Sequence, residues 1–226
     1  MAQAQRKKKQ IQHNTRVNNS KKAFAVLAVC VAAAAAIAIG MSSGSSAPAP
    51  SDGQATIITG QFQDVTVTGA LLPELTSGDD PAVGTPAPGL SGFDFRGNTV
   101  NINTAESRAN TLMVFLAHWC PACNEEVPKL IEWREQGLVP ADLRVVGVTT
   151  GSRDDAPNWP PSDWISEMKW PFEVLADSEE QTAALAYGLS AYPFMAIVDA
   201  EGNLRARFSG VMGPEQLSER VAAALK

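Results

Sequence analysis

The stretch Leu112-Met113-Val114-Phe115-Leu116-Ala117-His118-Trp119-Cys120-Pro121-Ala122-Cys123 decides how this chain is read. Its apolar run, Leu112 to Leu116, has the length and composition of a buried strand. Behind the cysteines, Asn124 to Gln136 keeps apolar residues at Val127, Leu130, Ile131 and Trp133, the spacing of one helix face. The two cysteines therefore fall at a strand-to-helix junction, with Cys120 at the helix N-terminus. Unpaired N–H groups and the positive end of the helix dipole favour a thiolate there. Cysteines in such settings fall from a pKa of ~8.5 to roughly 3.5–7.5. Pro121 suits the first helical turn, where its missing N–H costs nothing. Cys123, one turn on, is within reach of the first sulfur, so the spacing predicts a dithiol redox centre. A zinc site needs about four ligands, and beyond this pair only His118 is at hand. His13 and Cys30 belong to the N-terminal segment. No metal and no organic cofactor is expected.

Charge is unevenly distributed along the 226 residues. The formal net charge is −6, yet residues 1–22 carry Arg6, Lys7, Lys8, Lys9, Arg16, Lys21 and Lys22 with no acid, which leaves −13 for the remainder. An acidic globular part argues against nucleic-acid binding. Ala23 to Met41 then contains no charged residue over 19 positions, about 28 Å as helix against a hydrocarbon core of ~30 Å. The positive-inside rule puts the basic tail in the cytoplasm and everything after Met41 outside. A cleavable signal peptide is the main competitor, but the best small-residue site, Ala47-x-Ala49, leaves Pro50 at the cut. The reading is a single-pass anchor in the cell membrane, with Cys30 a small apolar residue inside it.

The expected organisation is a basic cytoplasmic tail (1–22), an anchor (23–41), a flexible linker and irregular lead-in (42–81) and one α/β domain (82–226). Within the domain, Leu90–Phe95 and Thr99–Ile102 read as a hairpin. The Leu112–Ala117 strand, the cysteine-bearing helix and the β-branched run Leu143–Thr149 imply a right-handed crossover. A short helix is expected within Gly151–Met168, a short strand at Phe172–Leu175 and a helix over Glu179–Tyr187. Phe194–Val198 and Leu204–Phe208 form the clearest hairpin, and Pro214–Leu225 a closing amphipathic helix. Such alternation predicts a central mixed sheet flanked by helices.

These residues resemble the TlpA/ResA group of membrane-tethered, thioredoxin-like thiol–disulfide oxidoreductases. Val83-Gly84-Thr85-Pro86-Ala87-Pro88 resembles the group's entry motif, Phe115 to Leu130 its active-site block, and Tyr192-Pro193 its proline loop. The likeness spans Ala82 to Lys226 and implies a thioredoxin-like fold. It also implies that Cys120 attacks, Cys123 resolves, and Pro193 is cis and faces the sulfurs. Trp119, Pro121 and Tyr192 would line the rim that receives a client. Glu126 occupies the place of a buried acid that moves protons during exchange, with Glu125 beside it in solvent. Where many thioredoxins have an acid six residues before the first cysteine, this chain has Val114. His118 reads as an exposed strand-end residue; protonated, it would make the pair more oxidising.

The expected reaction is thiol–disulfide exchange on protein clients outside the cytoplasm, of reductase or isomerase type, in a monomer recycled by a membrane redox partner. The resemblance suggests apocytochrome c cysteines or misoxidised exported proteins as clients. The Pro-Ala pair between the cysteines departs from the Glu-Pro and Gly-Pro pairs of reducing relatives, so disulfide-forming oxidation is the alternative. A copper chaperone is weaker, because no histidine follows His118. A peroxidase is also weaker, because Ala117 stands where a threonine is needed.

Overall fold

The structure, a computed structural model, describes residues 60–226. The basic tail, the expected anchor at 23–41 and the linker up to residue 59 lie outside the described residues. Among the described residues, no helix is long and apolar enough to cross a membrane.

In chain order the elements are β1 (Thr66–Thr68), β2 (Gly89–Phe93), β3 (Thr99–Ile102), α1 (Thr104–Ser107), β4 (Asn110–Leu116), α2 (Pro121–Glu135), β5 (Leu143–Thr149), α3 (Pro161–Glu167), β6 (Glu173–Ala176), α4 (Thr182–Ala186), β7 (Phe194–Val198), β8 (Leu204–Ser209) and α5 (Pro214–Ala224). The strands form one mixed sheet in the order β1-β2-β6-β5-β4-β7-β8, with β3 on the other side of β2. β4, β5 and β6 run parallel, as their helical crossovers require; β7 and β8 add antiparallel strands beyond β4.

β4 is buried from Thr111 to Leu116. Successive side chains of a strand point to opposite faces, so β4 contributes to two cores. Leu112, Val114 and Leu116 pack with Val127, Leu130 and Trp133 of α2, Trp164 of α3, and Leu217 and Val221 of α5. Met113 and Phe115 pack with Ala183, Ala186 and Tyr187 on the other face. Trp133 is fully buried and donates its indole N–H to Ser218 Oγ at 2.8 Å, tying α2 to α5.

One expected element is shorter than its sequence pattern. The helix predicted over Glu179–Tyr187 is only Thr182–Ala186, because Gln181 adopts a left-handed backbone (φ 62°) that stops the helix at its start. The buried Asp177 carboxylate accepts the freed N–H groups of Ala183 and Ala184 at 2.8 and 3.2 Å, and Ser178 Oγ accepts that of Thr182. α1 carries no sequence signal of comparable strength.

Residues 60–81 are laid against the sheet and helices. β1 pairs with β2, and Leu72 is buried. The N–H groups of Leu72 and Leu75 donate to Ala186 O and Gly188 O, each at 2.9 Å. Gly188 has φ +63° and lies so close to the Pro73 carbonyl that any Cβ would collide with it. Arg207, buried in β8, clamps this segment through a bidentate pair with Asp80 (2.8 and 2.6 Å) and bonds to the carbonyls of Pro73 and Tyr187. The guanidinium holds the Asp80 carboxyl below its ordinary range.

Breaking a buried pair strands the remaining charge. Arg207→Met is expected to destabilise the protein by about 3–5 kcal/mol in urea unfolding at pH 7. A depressed Asp80 contributes stability above its unfolded pKa of ~3.9, which is lost as pH falls through the lower folded value. The difference between wild type and Asp80→Asn should therefore shrink between pH 5 and pH 2.

Candidate active site

Cys120 is the N-cap of α2, with extended backbone (φ −77°, ψ 121°), and Pro121 occupies the first helical turn. Its carbonyl accepts the Asn124 N–H at 3.1 Å, while its own N–H donates to Ala117 O at 3.0 Å. Cys120 keeps 8% of its surface exposed; Cys123, one turn deeper, has none. No disulfide joins them. The Cys123 sulfur accepts a weak bond from the Ala117 N–H at 3.4 Å. Burial pushes the Cys123 thiol well above its ordinary pKa, against that bond, and the neighbouring Cys120 and Glu126 add to the rise.

Glu126 lies on the buried face of α2 and is 0% exposed. Its Oε2 accepts the Met212 N–H at 2.8 Å, whereas Oε1 is buried without a hydrogen-bond partner among the described residues. Burial raises its pKa to about 7; the Met212 bond and Lys129 oppose the rise, and Glu125 adds to it. Glu125, by contrast, is exposed and pairs with Lys129 at 2.7 Å.

The β4–β7 register sets Phe115 against Phe194, which brings Tyr192-Pro193 to the end of β4 where the cysteine segment begins. The Tyr192–Pro193 bond is cis. Tyr192 and Trp119 meet edge to face, with ring centroids 5.8 Å apart. The Trp119 indole donates to Gly151 O at 2.7 Å, and the Tyr192 hydroxyl donates to Gln181 Oε1 at 3.1 Å. Gly151 has φ +58°, and a Cβ there would run into the Tyr192 hydroxyl, so glycine is required. Burial raises Tyr192 to about 12; Thr150 opposes the rise, while Asp177 and both thiols add to it. Trp119 and Tyr192 are half-buried and pack against the buried cluster that holds Cys120 and Cys123, and Pro121 is exposed.

His118 corrects the expectation of an exposed strand-end residue. It is 1% exposed, and both ring nitrogens are engaged. Nδ1 donates to Pro157 O at 2.7 Å, and Nε2 accepts the Arg153 N–H at 3.1 Å. This pair of bonds requires neutral imidazole with its proton on Nδ1. Burial lowers its pKa, the Pro157 bond opposes this, and Arg153 adds to the lowering. His118 is therefore a brace for the Gly151–Asn158 loop and supplies no positive charge to the sulfurs.

Two contributors had no assigned role in the sequence. Asn124 donates to the carbonyls of His118 and Cys120 (3.0 and 2.9 Å) and accepts the Trp164 indole N–H at 2.9 Å. Its one available signal was a poor helix former inside a helix. Arg153, on the irregular loop, places its guanidinium carbon 4.4 Å from the Trp119 ring centroid.

The AhpC/TSA family model matches residues 83–207, over half of the chain. The chain is similar to a thiol:disulfide interchange protein DsbE of Pseudomonas aeruginosa, 26% identical over 64% of this chain and 69% of that protein. It is similar also to DsbE of Escherichia coli K12, 26% identical over 70% of this chain and 86% of that one. Among solved structures, the thioredoxin domain of a thiol-disulfide oxidoreductase from Bacteroides vulgatus superposes with TM-score 0.51 at 23% identity, over 64% of this chain and 99% of that one. A thioredoxin-family thiol:disulfide interchange protein from Chlorobium tepidum gives 0.51 at 22%, over 63% and 97%. These structural likenesses establish the thioredoxin fold.

Two measurements check the site. Because Cys123 is buried with its thiol raised, iodoacetamide should alkylate Cys120 first, by about tenfold or more; equal rates would refute the asymmetry. Glu126, raised from 4.5 to about 7, contributes stability below pH 4.5 that is lost as pH rises through 7. Relative to wild type, Glu126→Gln should thus gain stability between pH 5 and pH 8, by up to about 3 kcal/mol.

Proposed function

Because the chain belongs to the AhpC/TSA family, we propose that it is an oxidoreductase exchanging thiols and disulfides on protein clients through Cys120 and Cys123. The observation that carries this reading is the asymmetry of the pair: a cysteine at a helix N-terminus that keeps 8% of its surface exposed, one turn from a cysteine with none. The names of the similar interchange proteins agree with it.

In the reducing direction the Cys120 thiolate attacks a client disulfide. A Cys120–client bond forms, and the other client sulfur leaves as a thiolate. Cys123 then loses its proton and attacks the Cys120 sulfur, which closes the protein disulfide and releases the second client thiol. Two electrons pass from the dithiol to the client. Burial makes the Cys123 proton hard to remove, so the second step needs a base. Glu126 is suited to it: its charge is felt at Cys123, and its pKa of about 7 leaves it partly ionised at neutral pH.

We favour reduction or isomerisation over oxidation. Stabilised thiolates make strong oxidants, and His118, held neutral by its two hydrogen bonds, supplies no positive charge to stabilise one. The copper reading weakens for a related reason, since the His118 Nε2 lone pair is already taken by the Arg153 N–H. Ala23–Met41 serves in this proposal as a single-pass anchor that holds a monomeric domain outside the cytoplasm, where a membrane redox partner recycles the dithiol. Support for that comes from the basic tail and the uncharged 19-residue span.

Cys120→Ser should abolish exchange, whereas Cys123→Ser should accumulate clients as mixed disulfides on Cys120. Peroxide turnover by Cys123→Ser would instead favour a peroxidase. The reduction potential of residues 54–226 against glutathione decides direction: near about −270 mV supports a reductant, near about −120 mV an oxidant. Full-length protein should pellet with membranes, with its C-terminus digested by external protease; a soluble mature protein beginning after Met41 would replace the anchor with a signal peptide.

A further inference from the structure

Arg153 is exposed, yet it is fixed at both ends. Its backbone N–H is spent on the buried His118 Nε2 at 3.1 Å. Its guanidinium carbon sits 4.4 Å from the Trp119 ring centroid, within the range of a cation–π contact. Trp119 is itself held, by its indole bond to Gly151 O and its edge contact with Tyr192. Other arginines near carboxylates are paired: Arg144 with Glu173, Arg205 with Asp199, Arg207 with Asp80. Among the described residues, Arg153 has no ion pair and no side-chain hydrogen bond, although Asp154 and Asp155 follow it directly. Five N–H donors therefore stand unused on a positioned cation, beside the residue that precedes Cys120.

We propose that Arg153 is a specificity-determining residue that receives a carboxylate side chain flanking the reacting cysteine of the client. The inference rests on the exchange reading. A client sulfur that comes to Cys120 along the edge formed by Trp119 and Tyr192 carries its neighbouring residues past the Arg153 guanidinium, which lies over the Trp119 ring. That group is planar and forked and matches a carboxylate in two-point contact. The chain beyond residue 22 carries a net −13, so the overall field of the protein repels acidic partners. The preference is accordingly local: an acidic residue next to the cysteine is favoured, and acidity elsewhere in the client is not.

The test uses the reduced full-length protein in detergent and disulfide-linked dimers of single-cysteine peptides. Glutamate is placed one or two residues before or after the cysteine, and each peptide is matched by its glutamine counterpart. 2-Hydroxyethyl disulfide, which has no carboxylate, normalises the rate of every variant. Wild type should reduce at least one glutamate peptide about fivefold faster than its counterpart, and the ratio should shrink in ~0.5 M salt. Arg153→Gln should bring the ratio to about one, Arg153→Lys should retain only part of it, and Arg153→Glu should prefer a lysine at the same position. No glutamate preference in wild type, or an equal one in Arg153→Gln, overturns the assignment. Failure to react with 2-hydroxyethyl disulfide would overturn the exchange reading itself.

Discussion

The burial of β4 on both faces is the constraint from which the rest follows. Six consecutive residues, Thr111 to Leu116, are removed from solvent, and each face meets a different set of helices. A strand so enclosed cannot slip by one residue without turning its apolar set over. Its end point is therefore fixed, and so is the place where the chain turns into α2 with Cys120 at its cap. The same strand fixes the opposing loop, because antiparallel pairing with β7 sets Phe194 against Phe115 and brings Tyr192-Pro193 to the cysteines. The position of Cys120 and that of the Tyr192-Pro193 loop are thus two consequences of one register.

Around the sulfurs, the protein spends its polar groups on holding the backbone still. The His118 and Asn124 side chains both tie down the segment that leads into α2, and neither offers a charge to the thiols. Glu126 is the carboxyl felt at Cys123, with one oxygen hydrogen-bonded and one left without a partner among the described residues. An unpaired buried carboxylate oxygen is costly to desolvate when charged, which is why the group titrates near neutrality. In the proposed exchange cycle this division supplies fixed positions for the sulfurs and, in Glu126, a carboxyl suited to accept a proton near neutral pH.

The second layer extends the frame outward. Gly151 closes a triangle with Trp119 and Tyr192 that no other residue could fill. The segment before the entry motif is held by Arg207 and Asp80 across a sequence separation of 127 residues. Fixing this segment costs conformational entropy, and β1 pairing, the burial of Leu72 and the Arg207 clamp offset it.

The α/β class, the dithiol, the strand–helix junction and the β7–β8 hairpin were legible in the sequence, because each is written in residues near one another along the chain. Apolar runs, helical spacing and CxxC report local backbone preference directly. Glu126 and Tyr192-Pro193 were found through a resemblance and not from spacing. What only the tertiary structure decided was the state of groups whose partners lie far away. His118 reads as a strand-end residue until Pro157 and Arg153 take its two nitrogens. Arg207 carries no signal of its own in the sequence, and only the fold brings it to Asp80. The predicted α4 was too long because Asp177 drew its N–H groups into a cap beyond a left-handed Gln181. Sequence by itself determined which atoms can react; burial and long-range hydrogen bonding, which depend on what the fold brings within about 3 Å, decided how each is protonated, held and reached.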